Sequence, residues 1–146
     1  MSVNEAYLGF KFLYGILAPD TTLAGYAPGG VSRGFQSPGT TTPYVVMSLQ
    51  SPGADTTTNV GVVRLLANPL YLIRAVGPAA LTIQIANAAA QIDVLMGGKD
   101  GLKNKPITGG FIDALYRESP FQQDTLENGE EWTMFGGLYR MQIEVS

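Results

Sequence analysis

Apolar residues recur at helical spacing between Ala79 and Met96, which makes this stretch the clearest predicted helix of the chain. The face expected to enter the core carries Leu81, Ile85, Ala88, Ala89, Ile92, Leu95 and Met96. A second apolar stripe on the opposite face is formed by Ile83, Ala86, Ala90 and Val94. Two polar seams separate these faces, one with Gln84, Asn87 and Gln91, the other with Thr82 and Asp93. Because a helix that is apolar on both sides is normally covered on both sides, we expect the second stripe to meet another helix of the chain or a neighbouring subunit.

A first helix is predicted over 3–17, and it is the simplest partner for this second stripe. Gly9 and Gly15 each weaken it by roughly 1 kcal/mol relative to alanine, but they also permit close approach of a neighbouring element. Strands are predicted where apolar residues alternate or form short runs. These segments are 31–35, 44–50, 60–67, 70–76, 111–118 and 139–145.

The intervening segments are rich in Gly, Pro, Ser, Thr or charge and are predicted to be long loops, at about 27–43, 51–59, 97–110 and 119–131. The order of helices and strands predicts a single α+β domain over 1–146, with a mainly antiparallel twisted sheet and two helices packed on one face. Four such loops exceed what a small domain usually contains. We therefore interpret them as contact surfaces or as segments that are mobile before docking.

Composition and charge exclude several classes of protein. The chain has 146 residues, enough for one domain with a sizeable core, and its net charge is −3. Its nine basic residues are scattered, which disfavours ordinary nucleic-acid binding. Only 14% of residues are charged, so we expect partners to cover part of the surface. There is no cysteine, no signal-peptide pattern and no apolar run of roughly 18 residues, and we expect a protein that is soluble and cytoplasmic when made, without a membrane partner.

Groups that could carry catalysis are few. The chain has no histidine, the commonest general base and metal ligand. The segment 97–100, Gly-Gly-Lys-Asp, follows a predicted helix and lacks the spacing of a phosphate-binding loop, so we interpret it as a helix stop. Trp132 and Phe135 could stack on a sugar, but their spacing predicts opposite faces of a strand. We expect no enzyme, no cofactor and no metal site.

Several sequence patterns occur together in a characteristic order. They are Thr42-Pro43-Tyr44-Val45-Val46 at a strand start, Leu70-Tyr71-Leu72-Ile73-Arg74 before an alanine-rich helix that ends in Ile92-Asp93, the segments 114–120 and 136–143, and Asp20-x-x-Leu23 after the first helix. In this combination the chain resembles the tail-terminator, or tail-completion, proteins of long-tailed bacteriophages over most of its length.

This resemblance implies a structural virion protein that forms a six-membered ring on a finished tail tube. The ring would end tube polymerisation and join the tail to the head-closure or neck connector protein, with genomic DNA passing through the lumen without specific binding. The implied location is the head–tail interface of the virion, after assembly in the host cytoplasm. The family has no catalytic residues to transfer to this chain.

Two sets of residues follow as candidate contact sites. The second stripe, Ile83, Ala86, Ala90 and Val94, would suit closure of the ring. The loops 29–42 and 119–131 would contact tube or neck, through Arg33, Phe35, Pro38, Phe121, Asp124 and Glu127. The alternatives are another neck or tube ring protein, such as a head-closure or tail-tube subunit, a carbohydrate-binding module, and last an enzyme.

Overall fold

The computed structural model describes residues 5–34, 42–53, 56–57, 64–127 and 129–145. The α-helices are α1 (Glu5–Leu17), α2 (Thr21–Tyr26) and α3 (Thr82–Leu95). Short 3₁₀ turns at Ala79–Leu81 and Gly98–Asp100 flank α3. The strands are β1 (Val31–Arg33), β2 (Tyr44–Ser51), β3 (Thr56–Thr57), β4 (Arg64–Leu66), β5 (Leu70–Pro78), β6 (Leu102–Ile107), β7 (Gly110–Glu127) and β8 (Glu130–Val145).

Six strands form one sheet in the order β1-β2-β5-β8-β7-β6, and β3 and β4 pair separately. Only β1 and β2 are parallel among the neighbours of this six-stranded sheet, and the other four pairs are antiparallel. The predicted class is therefore confirmed: a single α+β domain with a mainly antiparallel sheet. The long β7–β8 hairpin provides the largest pairing, from Gly110 opposite Val145 to Glu127 opposite Glu130.

The core lies between one face of the sheet and the helices. On the central strand β5, alternate residues Tyr71, Ile73 and Ala75 point into the same apolar cluster as the buried residues of α1, α2 and α3. Leu72 and Val76 point the other way and are also buried, so β5 is buried on both faces, as its continuous apolar run predicts.

The structure differs from the prediction at three of the four expected loops, and in the first of them, 51–59, it shows the strand β3, while 54–55 and 58–59 lie outside the described residues. The segment 97–110 contains β6, and the segment 119–131 is the distal half of the β7–β8 hairpin. Both strands carry exposed polar side chains, because they are held by backbone pairing to a neighbouring strand and not by burial of their own side chains. The hairpin narrows to Glu127 opposite Glu130; the intervening Asn-Gly dipeptide is of the kind that favours a two-residue connection, and 128 lies outside the described residues.

Other predicted segments fall partly outside the described residues. The first helix begins at Glu5, and 3–4 are not described. Of the predicted strand 60–67, β4 covers Arg64–Leu66, and 60–63 are not described. In the segment 27–43 the structure shows β1, while 35–41 lie outside the described residues.

Tyr71 fixes α1 to the sheet. Its side chain is fully buried and its hydroxyl donates a 2.7 Å hydrogen bond to the carbonyl oxygen of Ala6. The ring also meets Phe10 edge-on, with 5.0 Å between the ring centroids. Gly9 faces this ring so closely that a Cβ atom there would lie 2.7 Å from Cζ of Tyr71. The close approach of the buried Tyr71 ring therefore explains why α1 has glycine at position 9, although glycine weakens a helix.

We predict that Gly9→Ala lowers the free energy of unfolding by about 2–3 kcal/mol, because the added methyl group displaces a buried ring from its packed position. Gly15→Ala in the same helix is the matched control, since a Cβ atom there has no neighbour within 4 Å. It should raise stability by roughly 0.5–1 kcal/mol through helix propensity. Urea unfolding of both variants measures the difference, and equal stabilities would contradict the role assigned to Gly9.

Candidate assembly surface

The first polar seam of α3 is bonded to α2 and to the residue before it. Gln84 Nε2 donates to the carbonyl oxygen of Tyr26 at 2.8 Å, and Gln91 Nε2 donates to Oδ2 of Asp20 at 3.1 Å. The same carboxylate oxygen caps α2 by accepting from the backbone N–H of Leu23 at 2.8 Å. One side of α3 is thereby bonded to the α2 region over two helical turns.

The second seam is bonded to the sheet. Tyr139 of β8 donates its hydroxyl to Oδ1 of Asp93 at 3.1 Å, and Nε of Arg117 on β7 lies 3.9 Å from the same oxygen. Burial raises the pKa of the Tyr139 hydroxyl above its ordinary value, and the charge of Asp93 and its hydrogen bond raise it further. The hydroxyl therefore remains a protonated donor, and α3 is bonded on both flanks.

These two seams decide which side of α3 faces outward. The core face, including Ile85, Ala88 and Ile92, is buried, while the second stripe points away from the sheet. Ile83 is 80% exposed and Val94 is 65% exposed; Ala90 is exposed and Ala86 is half-buried. The helix α1 packs on Tyr71 of the sheet and does not cover this stripe, so the expectation that α1 is its partner is wrong.

A groove of about 680 Å³ runs along the stripe, between α3 and the β7–β8 hairpin. Its helical wall includes Ala86, Ala90 and Val94, and its opposite wall includes Phe121 and Phe135. Phe121 was predicted to act with a separate contact loop. The structure instead places it on the same surface as the second stripe, because its segment is a strand beside α3.

A second groove of about 630 Å³ continues this surface around the start of α3. It lies between Thr82 and the distal hairpin, where Asp124, Leu126 and Trp132 contribute to its wall. Phe135 also borders it, so Trp132 and Phe135 line one groove although their spacing predicts opposite faces. Leu126 is 70% exposed, which adds apolar area to the groove rim.

The outer edge of β7 is a feature that the sequence prediction missed. β6 pairs with β7 only from Gly110 to Leu115, and no described strand pairs with the outer edge from Tyr116 to Glu127. The signal was present in the sequence, because an Asn-Gly pair flanked by Thr125-Leu126 and Trp132-Thr133 is typical of a hairpin.

The other candidate contact residues lie in different places. Arg33 is exposed on β1, at the sheet edge farthest in strand order from β6, with its Cζ atom 5.4 Å from the ring centroid of Phe10. Asp124 is exposed on β7 and accepts a 2.8 Å hydrogen bond from the hydroxyl of Thr133. Glu127 is the last residue of β7. Phe35 and Pro38 lie outside the described residues.

The described residues contain no group of three or more metal-binding side chains. None of the helices in the described ranges is long and apolar enough to cross a membrane. Gly97, with a φ of 92°, ends α3 as the helix stop predicted for this segment. The chemistry on this surface is therefore that of an apolar groove with a polar rim.

No protein-family model matches the chain, and no curated protein matches it. Among solved structures it is similar to a chain of the virion of a native gene transfer agent (GTA) particle. The TM-score is 0.66 at 20% identity, over 90% of this chain and 91% of that chain. A second solved chain, whose name carries no functional description, matches with a TM-score of 0.51 at 14% identity, over 94% of this chain and 93% of that one. Both similarities show a shared fold over nearly the whole chain.

We predict that stability falls steeply in alkali because of Tyr71 and Tyr139. Burial raises the pKa of both hydroxyls, so the unfolded chain releases these protons first, near the ordinary pKa of about 10. Below that pH the stability is fully present. Above it, the free energy of unfolding should fall by up to about 1.4 kcal/mol per pH unit for each tyrosine.

Urea unfolding at a series of alkaline pH values measures this slope. Tyr139→Phe and Tyr71→Phe should each remove one tyrosine's share of it, in addition to any constant loss from the missing hydrogen bond. If the dependence of stability on alkaline pH is unchanged in both variants, Tyr71 and Tyr139 are not its cause.

Proposed function

We propose that this protein is a structural component of a phage-like virion that forms a closed, six-membered ring. The observation that carries the proposal is the fold that it shares, over 90% of its length, with a chain of a gene transfer agent virion. The resemblance to tail-terminator proteins supplies the finer role. In this role the ring caps the tail tube, ends tube polymerisation and joins the tail to the head-closure or neck connector protein at the head–tail interface.

The exposed stripe of α3 supports assembly of several copies. An Ile side chain at 80% exposure beside a Val at 65% leaves apolar area in water that burial against a partner would remove. A head-to-tail ring uses two different patches on each subunit. We assign one of them to Ile83, Ala86, Ala90 and Val94, together with the adjoining groove.

The remaining contact residues are proposed to meet the tube and neck at the two ends of the ring. These are Arg33, Phe35 and Pro38, whereas Phe121, Asp124 and Glu127 belong to the part of β7 that borders the grooves beside α3 and are assigned to the contact between subunits. The net charge of −3 suits a lumen that lets genomic DNA pass, because like charges repel the phosphate backbone and no specific binding arises.

We predict that the double variant Ile83→Asp/Val94→Asp loses ring formation and with it the capacity to limit tube length. Both side chains are exposed in the single subunit, so the variant should fold, while two carboxylates in a buried interface are strongly unfavourable. The measurement is the length distribution of tail tubes assembled with and without the protein, followed by attachment to heads.

Tyr14→Asp is the control, because this α1 side chain is 52% exposed and lies on another helix. The wild type and the control should give tubes of defined length that attach to heads. If the wild type neither limits tube length nor supports attachment, the terminator role is wrong. Wild-type protein that polymerises into open tubes by itself would indicate a tail-tube subunit, and sugar-dependent quenching of Trp132 fluorescence in a monomer would indicate a carbohydrate-binding module.

A further inference from the structure

Charge is unevenly distributed along the β6–β7–β8 region, with carboxylates concentrated toward one end and three lysines, beside Asp100 and Asp113, toward the other. The segment 118–131, here named the acidic arm, contains five carboxylates and no basic residue. The segment 99–105, here named the lysine segment, contains three of the nine basic residues of the chain, Lys99, Lys103 and Lys105. All three lysines are exposed, and so are Glu130 and Glu131 at the end of the arm.

These two segments lie toward opposite ends of the same strand. The lysine segment pairs with β7 at Ile112 to Leu115, whereas the arm ends at Glu127 opposite Glu130. Twelve residues separate Leu115 from Glu127, which corresponds to about 40 Å of extended strand. Because charges in physiological salt are screened over about 8 Å, the arm tip and the lysine segment of one subunit do not neutralise each other.

The arm tip and the three lysines have no charge partner elsewhere among the described residues. The three lysines, Glu130 and Glu131 have no ion pair there, while Glu118 is bonded to Arg140 at 3.1 Å. The arm also forms the unpaired outer edge of β7 and borders both grooves beside α3. A partner that covers the exposed stripe of α3 therefore comes into contact with the arm.

The negative charge of the arm indicates which surface of a second copy would bind it. A symmetric pair of arms would place carboxylates opposite carboxylates, which is unfavourable. The lysine segment of a second copy brings the opposite charge, and complementary charges at the rim of an apolar patch favour one docking orientation. Since arm and lysine segment are different patches, this contact is head-to-tail, which is the kind that closes rings.

We propose that the acidic arm of one subunit docks against the lysine segment of the next copy of the chain. The proposal rests on the ring of the proposed function and names the charged contact that orders its subunits. Lysines on an edge strand also discourage unwanted strand pairing. The experiment therefore has to distinguish a specific contact between subunits from lysines that only face solvent at the edge of the sheet.

The test uses four full-length proteins, and their native mass is measured over a concentration series at low and high salt. They are the wild type, Lys103→Glu/Lys105→Glu, Glu130→Lys/Glu131→Lys, and the variant that carries all four changes. Each two-residue variant gives the arm tip, at 130 and 131, the same sign as the exposed positions 103 and 105, so its self-association should weaken on the order of tenfold or more. The four-residue variant restores opposite signs and should assemble again.

An equimolar mixture of the two two-residue variants provides the sharpest readout. One variant is acidic both at the arm tip and at 103 and 105, and the other is basic at both places, so they should assemble in strict alternation, in rings with an even number of subunits. Lys11→Glu/Tyr14→Glu is the control, because it shifts the net charge in the same direction as Lys103→Glu/Lys105→Glu at exposed positions on α1, away from both segments. It should associate like the wild type, and high salt should weaken every assembly that uses the contact.

Rings that persist in both two-residue variants would overturn the proposal while leaving the virion role intact. Failure of the four-residue variant and of the mixture to assemble, with all proteins folded by circular dichroism, would also overturn it. A wild type that shows no self-association at low salt contradicts the charge contact. In that case the tube-length and head-attachment assay still decides the virion role independently.

Discussion

The rotational position of α3 is the constraint on which the rest of the surface depends. Three hydrogen bonds fix it, from Gln84 and Gln91 toward the α2 region and from Tyr139 to Asp93 on the other flank. Each of these bonds is modest, since a hydrogen bond contributes net about 0.5–1.5 kcal/mol. Together they prevent the helix from rolling to bury its second apolar stripe. The fold therefore holds Ile83 and Val94 in water, where a partner can cover them.

The β7–β8 hairpin extends the same surface. Its proximal half belongs to the core, because Ile112, Leu115 and Met141 are fully buried. Its distal half carries the acidic arm along α3 and ends where Glu127 pairs with Glu130. A low overall charge and an apolar face beside a charged edge suit a subunit that functions within an assembly.

The sequence predicted the parts of the fold that are governed by apolar periodicity. It identified both faces of α3, the doubly buried β5 and the α+β class. It failed at 102–107 and 119–127, because edge strands such as β6 and distal β7 are held by backbone pairing that leaves no apolar pattern. The direction in which the second stripe points could not be predicted either. It depends on the position of Asp20, Tyr26 and Tyr139 around α3, which are distant in sequence from one another.

The central claim is that the outward face of α3 is an interface between copies of this chain. The most direct measurement is the native mass of the purified wild-type protein over a concentration series, with negative-stain images of the same samples. We expect a closed ring of six subunits whose population rises with concentration. A strict monomer at every concentration, or rings that form equally well in Ile83→Asp/Val94→Asp, would contradict the claim.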